Sequence, residues 1–283
     1  MGRKRGHPIK KDRTWHLERD VNFDTLAAKF QKKVYGGLKG KIRLAVLNKD
    51  LAEFSPRSMA PAKGEPLKIL DAGCGAAPFS LNFLEYGHDL VLCDISEKML
   101  DLARGRARNV CDAMGVPMPP FLHGPIQELD LPTGFDLILC HAVVEWVVDP
   151  RVMIRHLLDR LAPGGIFSLT FYNFHGMVFK NLLRGNYKKI LKKEYHGWPG
   201  SLTPAHPRKL DEVMGWVENM PLSLVGHSGM RVFHDYNLDM ARRDDHPDTV
   251  VDLELEFSRK EPYRSMGRYQ HLVFKKDETP SLD

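Results

Sequence analysis

Four short apolar runs, Leu67–Leu70, Leu90–Cys93, Phe135–Cys140 and Ile166–Phe171, recur between residues 65 and 171 with longer amphipathic stretches between them. Each run is continuous rather than alternating, as expected of strands covered on both faces. Ser96 is placed to cap a helix running to about Met114. Asp149-Pro150 opens another, with Ile154, Leu157, Leu158 and Leu161 at helical spacing. Pro163-Gly164-Gly165 is expected to stop that helix and turn directly into the next strand. Strand and helix alternating at this rhythm predict an α/β fold, a doubly wound and mostly parallel sheet with helices on both faces.

The flanks complete one domain over residues 20–275. A helical cap is expected over 23–55 (Phe23, Leu26, Ala27, Phe30, then Ile42, Ala45, Val46, with Gly36-Gly37 as the break), and the core spans 65–171. The segment 172–275 carries a basic helical patch, helices near 206–219 and 247–260, and strands Leu222–Val225 and Tyr269–Phe274. Those two strands would bring the sheet to seven. Residues 1–19 form a basic tail, its first thirteen residues expected to be disordered, and 276–283 a flexible one. The tail distorts the bulk charge: of the net +5, residues 1–20 supply seven Lys/Arg against three Asp/Glu, so the rest is near neutral and only local clusters point to nucleic acid. Cys74, Cys93, Cys111 and Cys140 show neither C-x-x-C nor metal-ligand spacing, so no metal is expected. No apolar run approaches the ~20 residues that span a bilayer, and no secretory signal opens the chain. Reduced thiols without an export signal point to the cytoplasm.

Asp71-Ala72-Gly73-Cys74-Gly75 follows the first strand directly. Glycines there let backbone approach a ligand at the switch point of the sheet, although a tight strand-to-helix turn would use the same residues. A dinucleotide fingerprint needs a third Gly where this chain has Pro78, and Asp71 two residues before Gly73 suits a cationic ligand better than a diphosphate. Asp94 closes the second strand, 19 residues after Gly75, where a carboxylate can accept both ribose hydroxyls. His123-Gly124-Pro125-Ile126-Gln127-Glu128 closes the third, where a loop can cover an adenine, and His141-Ala142-Val143-Val144-Glu145-Trp146 follows the fourth. Assembled in this order, the features resemble the class I methyltransferase family, with its Rossmann-like seven-stranded sheet and its cofactor S-adenosylmethionine.

Sharper segments narrow the resemblance. They are Asn22-Phe23-Asp24, Tyr35-Gly36 before Lys39-Gly40, the His141–Trp146 segment with Asp149-Pro150, and Phe171-Tyr172-Asn173-Phe174-His175-Gly176. To these add Arg231-Val232-Phe233-His234-Asp235-Tyr236, Glu261-Pro262-Tyr263 and Gly267-Arg268-Tyr269-Gln270-His271. Over about residues 20–275 they resemble the bacterial tRNA 5-carboxymethoxyuridine methyltransferase family. The resemblance implies cofactor contacts from Arg43, Gly73-Cys74, Asp94, Ile126-Gln127 and His141, to which the turn itself adds Asp71 and Gly75. Arg43 could equally be a solvated helix charge, and His141 a hydrogen-bonded strand-end histidine.

The implied reaction methylates the carboxyl of 5-carboxymethoxyuridine at the wobble position of tRNA, giving 5-methoxycarbonylmethoxyuridine. A carboxylate is ionised at neutral pH, so no base is required, and catalysis reduces to holding an oxygen in line with the methyl group in a shielded site. Such a site needs a cation for the carboxylate and aromatics for a splayed base. Arg231, Arg268, Tyr172, Tyr236 and Tyr269 are the candidates, although each could be a packing residue. For the RNA partner, the stretch from Lys180 to Lys193 holds six cations (Lys180, Arg184, Lys188, Lys189, Lys192, Lys193) and no acid. It can grip phosphates or be only a solvated face. Two other functions remain open: a carboxyl or hydroxyl methyltransferase for a small metabolite, and a non-catalytic RNA-binding module on this fold. A related transfer of a carboxymethyl group would need a further cation near the sulfonium.

Overall fold

The computed structural model describes residues 19–27, 36–196 and 201–278. The expected disorder of the first thirteen residues, Phe30 of the cap, Tyr35, and most of the C-terminal tail lie outside these residues.

Seven strands form one sheet: β1 (Lys68–Ala72), β2 (Asp89–Asp94), β3 (Phe121–His123), β4 (Phe135–His141), β5 (Leu161–Tyr172), β6 (Leu222–Met230) and β7 (Tyr269–Lys276), in the order β3-β2-β1-β4-β5-β7-β6. The first five pair in parallel, and β7 runs antiparallel to both β5 and β6. The chain steps from β1 outward to β2 and β3, then returns to place β4 on the other side of β1. That reversal opens a crevice at the carboxyl ends of β1, β2 and β4.

Helices cover both faces. On one lie α1 (Leu38–Phe54), the short α2 (Asn82–Glu85) and α3 (Glu97–Met114), whose Val46, Leu51, Phe83, Leu100 and Ala103 are buried with Ile69, Leu92 and Leu139 of the sheet. The Ser96 hydroxyl accepts from Met99 N–H at 3.2 Å, the expected cap of α3. On the other face, α4 (Pro150–Arg160) packs Met153, Ile154 and Leu157 against Phe135, Phe167 and Phe274. Asp149 caps it by accepting from Arg151 and Val152 N–H. Beyond β5 come α5 (Phe174–Leu183), α6 (Tyr187–Leu191), α7 (Leu210–Val217), α8 (Pro247–Phe257) and α9 (Tyr263–Met266).

Two boundaries differ from expectation. Helix α4 ends at Arg160, before Pro163-Gly164-Gly165, and β5 already begins at Leu161; the irregularity falls in the β4–β5 register between Phe135 and Leu137. Strand β6 runs on to Met230 because its far end pairs with Tyr269–Gln270 of β7, a partner about forty residues away that no local pattern reveals. Among the described residues, no helix is long and apolar enough to cross a membrane.

Candidate active site

The crevice holds a solvent-open pocket lined by Gly73, Cys74, Gly75, Asp94, Ile126, Gln127 and His141 of the expected cofactor set. Gly73 has φ 75°, and a Cβ there would come within 2.4 Å of Val143 Cγ2, so only glycine lets the turn pass beneath the loop after β4. Gly75 N–H donates to Asp94 Oδ2 and Ser96 N–H to Oδ1, each at 2.8 Å, which fixes the carboxylate at the cavity wall. Burial pushes the Asp94 carboxyl up, although those two backbone donors pull the other way. His141 is held well below the ordinary imidazole range by burial and by the neighbouring His271 and Arg43.

The remaining wall includes Asp20 and Val21, which the sequence did not flag, beside Phe23 of the Asn22-Phe23-Asp24 segment. These three residues also contact the loops after β3 and β4. Asp20 accepts from Gln127 Nε2 at 2.9 Å and from Val148 N–H at 2.8 Å, and Phe23 meets Trp146 edge to face at 4.7 Å. Thus one short segment ties the β3 loop to the β4 loop. Arg208 braces the β4 loop from behind by donating to the Val144 and Val147 carbonyls at 2.9 Å.

Two expected cofactor residues stand outside this wall. Asp71 is buried beneath the turn and accepts from Ser80 Oγ at 2.5 Å; burial lifts its carboxyl to about 7. It anchors the turn. Arg43 is buried in α1, with its guanidinium carbon 4.6 Å from the centre of the Tyr269 ring and its charge felt at both His141 and Glu145. Glu145 itself is fully buried with neither oxygen hydrogen-bonded, and burial pushes its carboxyl to about 8.

Past the end of β5 lies a second cluster. Asp235 has a side chain only 1% exposed, yet four cations surround it: Lys180 at 2.9 Å, Arg231 at 3.3 Å, Arg268 at 3.4 Å and Lys39 at 3.8 Å. Burial opposes ionisation of Asp235, but the charges of Arg231, Lys180 and Arg268 hold its pKa well below the carboxylate range. One carboxylate offsets one of the four positive charges. The excess remains: Arg231 Nε is buried without a hydrogen-bond acceptor, while Arg268 Nε makes the 3.4 Å ion-pair contact with Asp235 Oδ2. Aromatic rings wall the cluster: the Arg268 guanidinium lies over Tyr172 at 5.0 Å and donates to its hydroxyl, Arg231 lies over Tyr269 at 5.4 Å, and Tyr172 and Tyr269 meet edge to face. Tyr236 points its hydroxyl into the backbone, donating to Met266 O, so it acts as a brace.

Local sequence explains the convergence. A Cβ on Gly176 would strike Gly267 O at 2.6 Å, so α5 reaches the Arg268 segment only through glycine. Asn173 caps α5 through His175 N–H while its amide donates to the Ser265 and Gly267 carbonyls at 2.8 Å. Glu254 of α8 accepts from Val232, Phe233 and His234 N–H, which folds the Arg231–Tyr236 segment round Asp235. Lys180, read from sequence as an RNA contact, instead turns inward to this cluster and is 14% exposed; burial lowers it to about 8. Lys189 is half-buried, whereas Arg184, Lys188, Lys192 and Lys193 are exposed.

The sheet order, the glycine turn and the cavity define a class I methyltransferase, dependent on S-adenosylmethionine. A methyltransferase-domain family profile matches residues 70–169. The tRNA 5-carboxymethoxyuridine methyltransferase of Escherichia coli (strain K12) is 37% identical over 264 residues, covering 92% of this chain and 98% of that protein. This chain belongs to the same family. A ubiquinone biosynthesis O-methyltransferase from Dinoroseobacter shibae is 30% identical over 68% of the chain and 75% of its own length. In fold, the chain is similar to the magnesium protoporphyrin IX methyltransferase of Synechocystis PCC 6803, solved with bound SAH, at a TM-score of 0.59, 16% identity, and coverage of 90% and 96%.

Proposed function

We propose that this chain methyl-esterifies the carboxyl group of 5-carboxymethoxyuridine at the wobble position of tRNA, as the name of its Escherichia coli relative suggests, and that it does so in the cytoplasm. The observation that carries the reading is the cation-rich cluster round Asp235, walled by tyrosine rings, joined to the cofactor cavity through Arg43, and holding an Arg231 Nε–H without an acceptor. A neutral acceptor would gain nothing from such a surplus of charge. A carboxylate would be held by it.

The cavity residues fit S-adenosylmethionine. Asp94 would hold the ribose hydroxyls, Ile126 and Gln127 would cover the adenine, and His141 and the Gly73-Cys74 turn would face the methionine end, with Arg43 close to its carboxylate. When bound, the cofactor supplies a methyl group already activated on a sulfonium. The protein's work is positional. Arg231 and Arg268 fix the substrate carboxylate, Tyr172 and Tyr269 flank the uracil, and the segment Asp20–Phe23 in the cavity wall limits water there. No general base is needed, since a carboxylate acceptor is ionised near pH 7. Arg184, Lys188, Lys189, Lys192 and Lys193 line the approach and attract phosphates.

Arg231→Ala tests the reading. It should slow methyl transfer to carboxymethoxyuridine-containing tRNA about a hundredfold while leaving S-adenosylmethionine affinity within a factor of two, because a charged partner is lost only on the substrate side. Undiminished transfer by a folded variant would remove the carboxylate-binding role.

A further inference from the structure

A line of buried polar side chains runs along one face of the sheet, from α1 to the cofactor cavity. Asp50 of α1 is 1% exposed, and its Oδ2 lies 2.7 Å from His271 Nδ1. His271, fully buried on β7, places Nε2 2.8 Å from Ser168 Oγ on β5. The same Ser168 oxygen lies 2.8 Å from Nε2 of His141, which ends β4 and lines the cavity. Three neighbouring strands and one helix are thus bridged by a single chain of contacts.

The bookkeeping of protons along it has few solutions. Asp50 Oδ1 accepts from Arg259 Nη2 at 2.6 Å and from Ser228 Oγ at 2.9 Å, so the carboxylate is an acceptor throughout and His271 must carry hydrogen on Nδ1. Ser168 has one hydroxyl hydrogen for two imidazole nitrogens. Either it donates to a neutral His271 and accepts from His141 Nε2–H, or a protonated His271 donates to it and it donates to His141. Asp50 faces His271, Arg43 acts on His141 and His227 on His271, while Arg259 pairs with both Asp50 and Glu53. The first arrangement adds no charge between the two imidazole rings, which lie 5.9 Å apart with the Arg43 cation already acting on His141.

We propose that Asp50, His271 and Ser168 are positioning residues that lock His141 as its neutral Nε2–H tautomer and leave Nδ1 as a hydrogen-bond acceptor at the cofactor cavity. The proposal rests on the reading of that cavity as the S-adenosylmethionine site. Burial of His141 agrees with a neutral ring, and Nδ1 has no hydrogen-bond partner among the described residues. A neutral acceptor suits a ligand with a sulfonium and an ammonium, because an imidazolium there would repel both. The arrangement is that of a histidine whose outer partner sets which nitrogen stays free.

The test is a long-range ¹⁵N–¹H correlation spectrum of the full, cofactor-free chain, with His141 assigned through His141→Gln. The proposal expects the Nε2–H pattern in the wild type and a mixture of tautomers in Ser168→Ala. Calorimetry with S-adenosylmethionine should then show about tenfold weaker binding for Ser168→Ala. An Nδ1–H pattern in the wild type overturns the proposal, as does a Ser168→Ala spectrum identical to it. Failure of the wild type to bind S-adenosylmethionine sinks the reading of the cavity, and is told apart because the tautomer spectrum needs no cofactor.

Discussion

Glu145 allows a quantitative check on the interior of the site. Its carboxyl is fully buried, neither oxygen is hydrogen-bonded, and burial raises it from 4.5 to about 8. In the unfolded chain the same group ionises near its ordinary value. Because the folded pKa is the higher one, the group costs nothing below the unfolded pKa, and its cost grows until pH passes the folded value. At ~1.4 kcal/mol per pH unit, that is about 3 kcal/mol lost between pH 5 and 7. Glu145→Gln removes the titration and keeps the shape. Urea unfolding of cofactor-free protein at pH 5, 6 and 7 should give a wild-type stability falling more steeply than the variant's by that ~1.4 kcal/mol per unit. Asp71, also raised, slopes in the same direction in both proteins and drops out of the difference. The buried amide of Gln can lower the whole curve by ~1–3 kcal/mol without altering its slope. Parallel curves for the two proteins would refute the argument.

Three further outcomes follow from the site. Asp94→Ala should weaken S-adenosylmethionine binding by about 2–3 kcal/mol in calorimetry, since the ribose hydroxyls lose a charged acceptor; an unchanged dissociation constant would refute that role. Neutralising Lys188, Lys189, Lys192 and Lys193 together should raise KM for tRNA and lower the slope of log affinity against log salt by about 3, with cofactor affinity constant. Single-turnover transfer should be flat from about pH 6 to 7.5 and decline above about 8 as Lys180 loses its proton, and Lys180→Arg should extend the plateau; a rate that climbs through this range would mean a base is at work.

Legibility in the sequence followed range. The glycine turn, Asp94, and the caps at Ser96 and Asp149 were readable because each is a local event, spanning a few residues about one strand or helix end. The cation cluster was readable only in part. Arg231 and Arg268 stood out as arginines beside aromatics, but Lys39, Lys180 and Asp235 join them only because α1, α5 and the segment after β6 meet past the end of the sheet. Asp235 was within a quoted motif, and an acid amid cations was the available signal. Lys180 misled because a run of like charges reads as solvated surface; its position on α5 turns it inward while Lys188, Lys192 and Lys193 stay out. Phe23 stood in the quoted Asn22-Phe23-Asp24 segment, but Asp20 and Val21 left no trace, since a short extended segment held by one aspartate and one aromatic contact has no periodicity to detect.

The central claim is the chemical nature of the acceptor, and the label on the product reads it directly. Purified tRNA carrying 5-carboxymethoxyuridine is incubated with the protein and methyl-labelled S-adenosylmethionine, and the isolated product is then treated with mild alkali. A methyl ester releases its label as methanol, and tRNA lacking the carboxymethoxy group takes up none. A base-stable label, or equal labelling of both tRNAs, would contradict esterification of the wobble uridine.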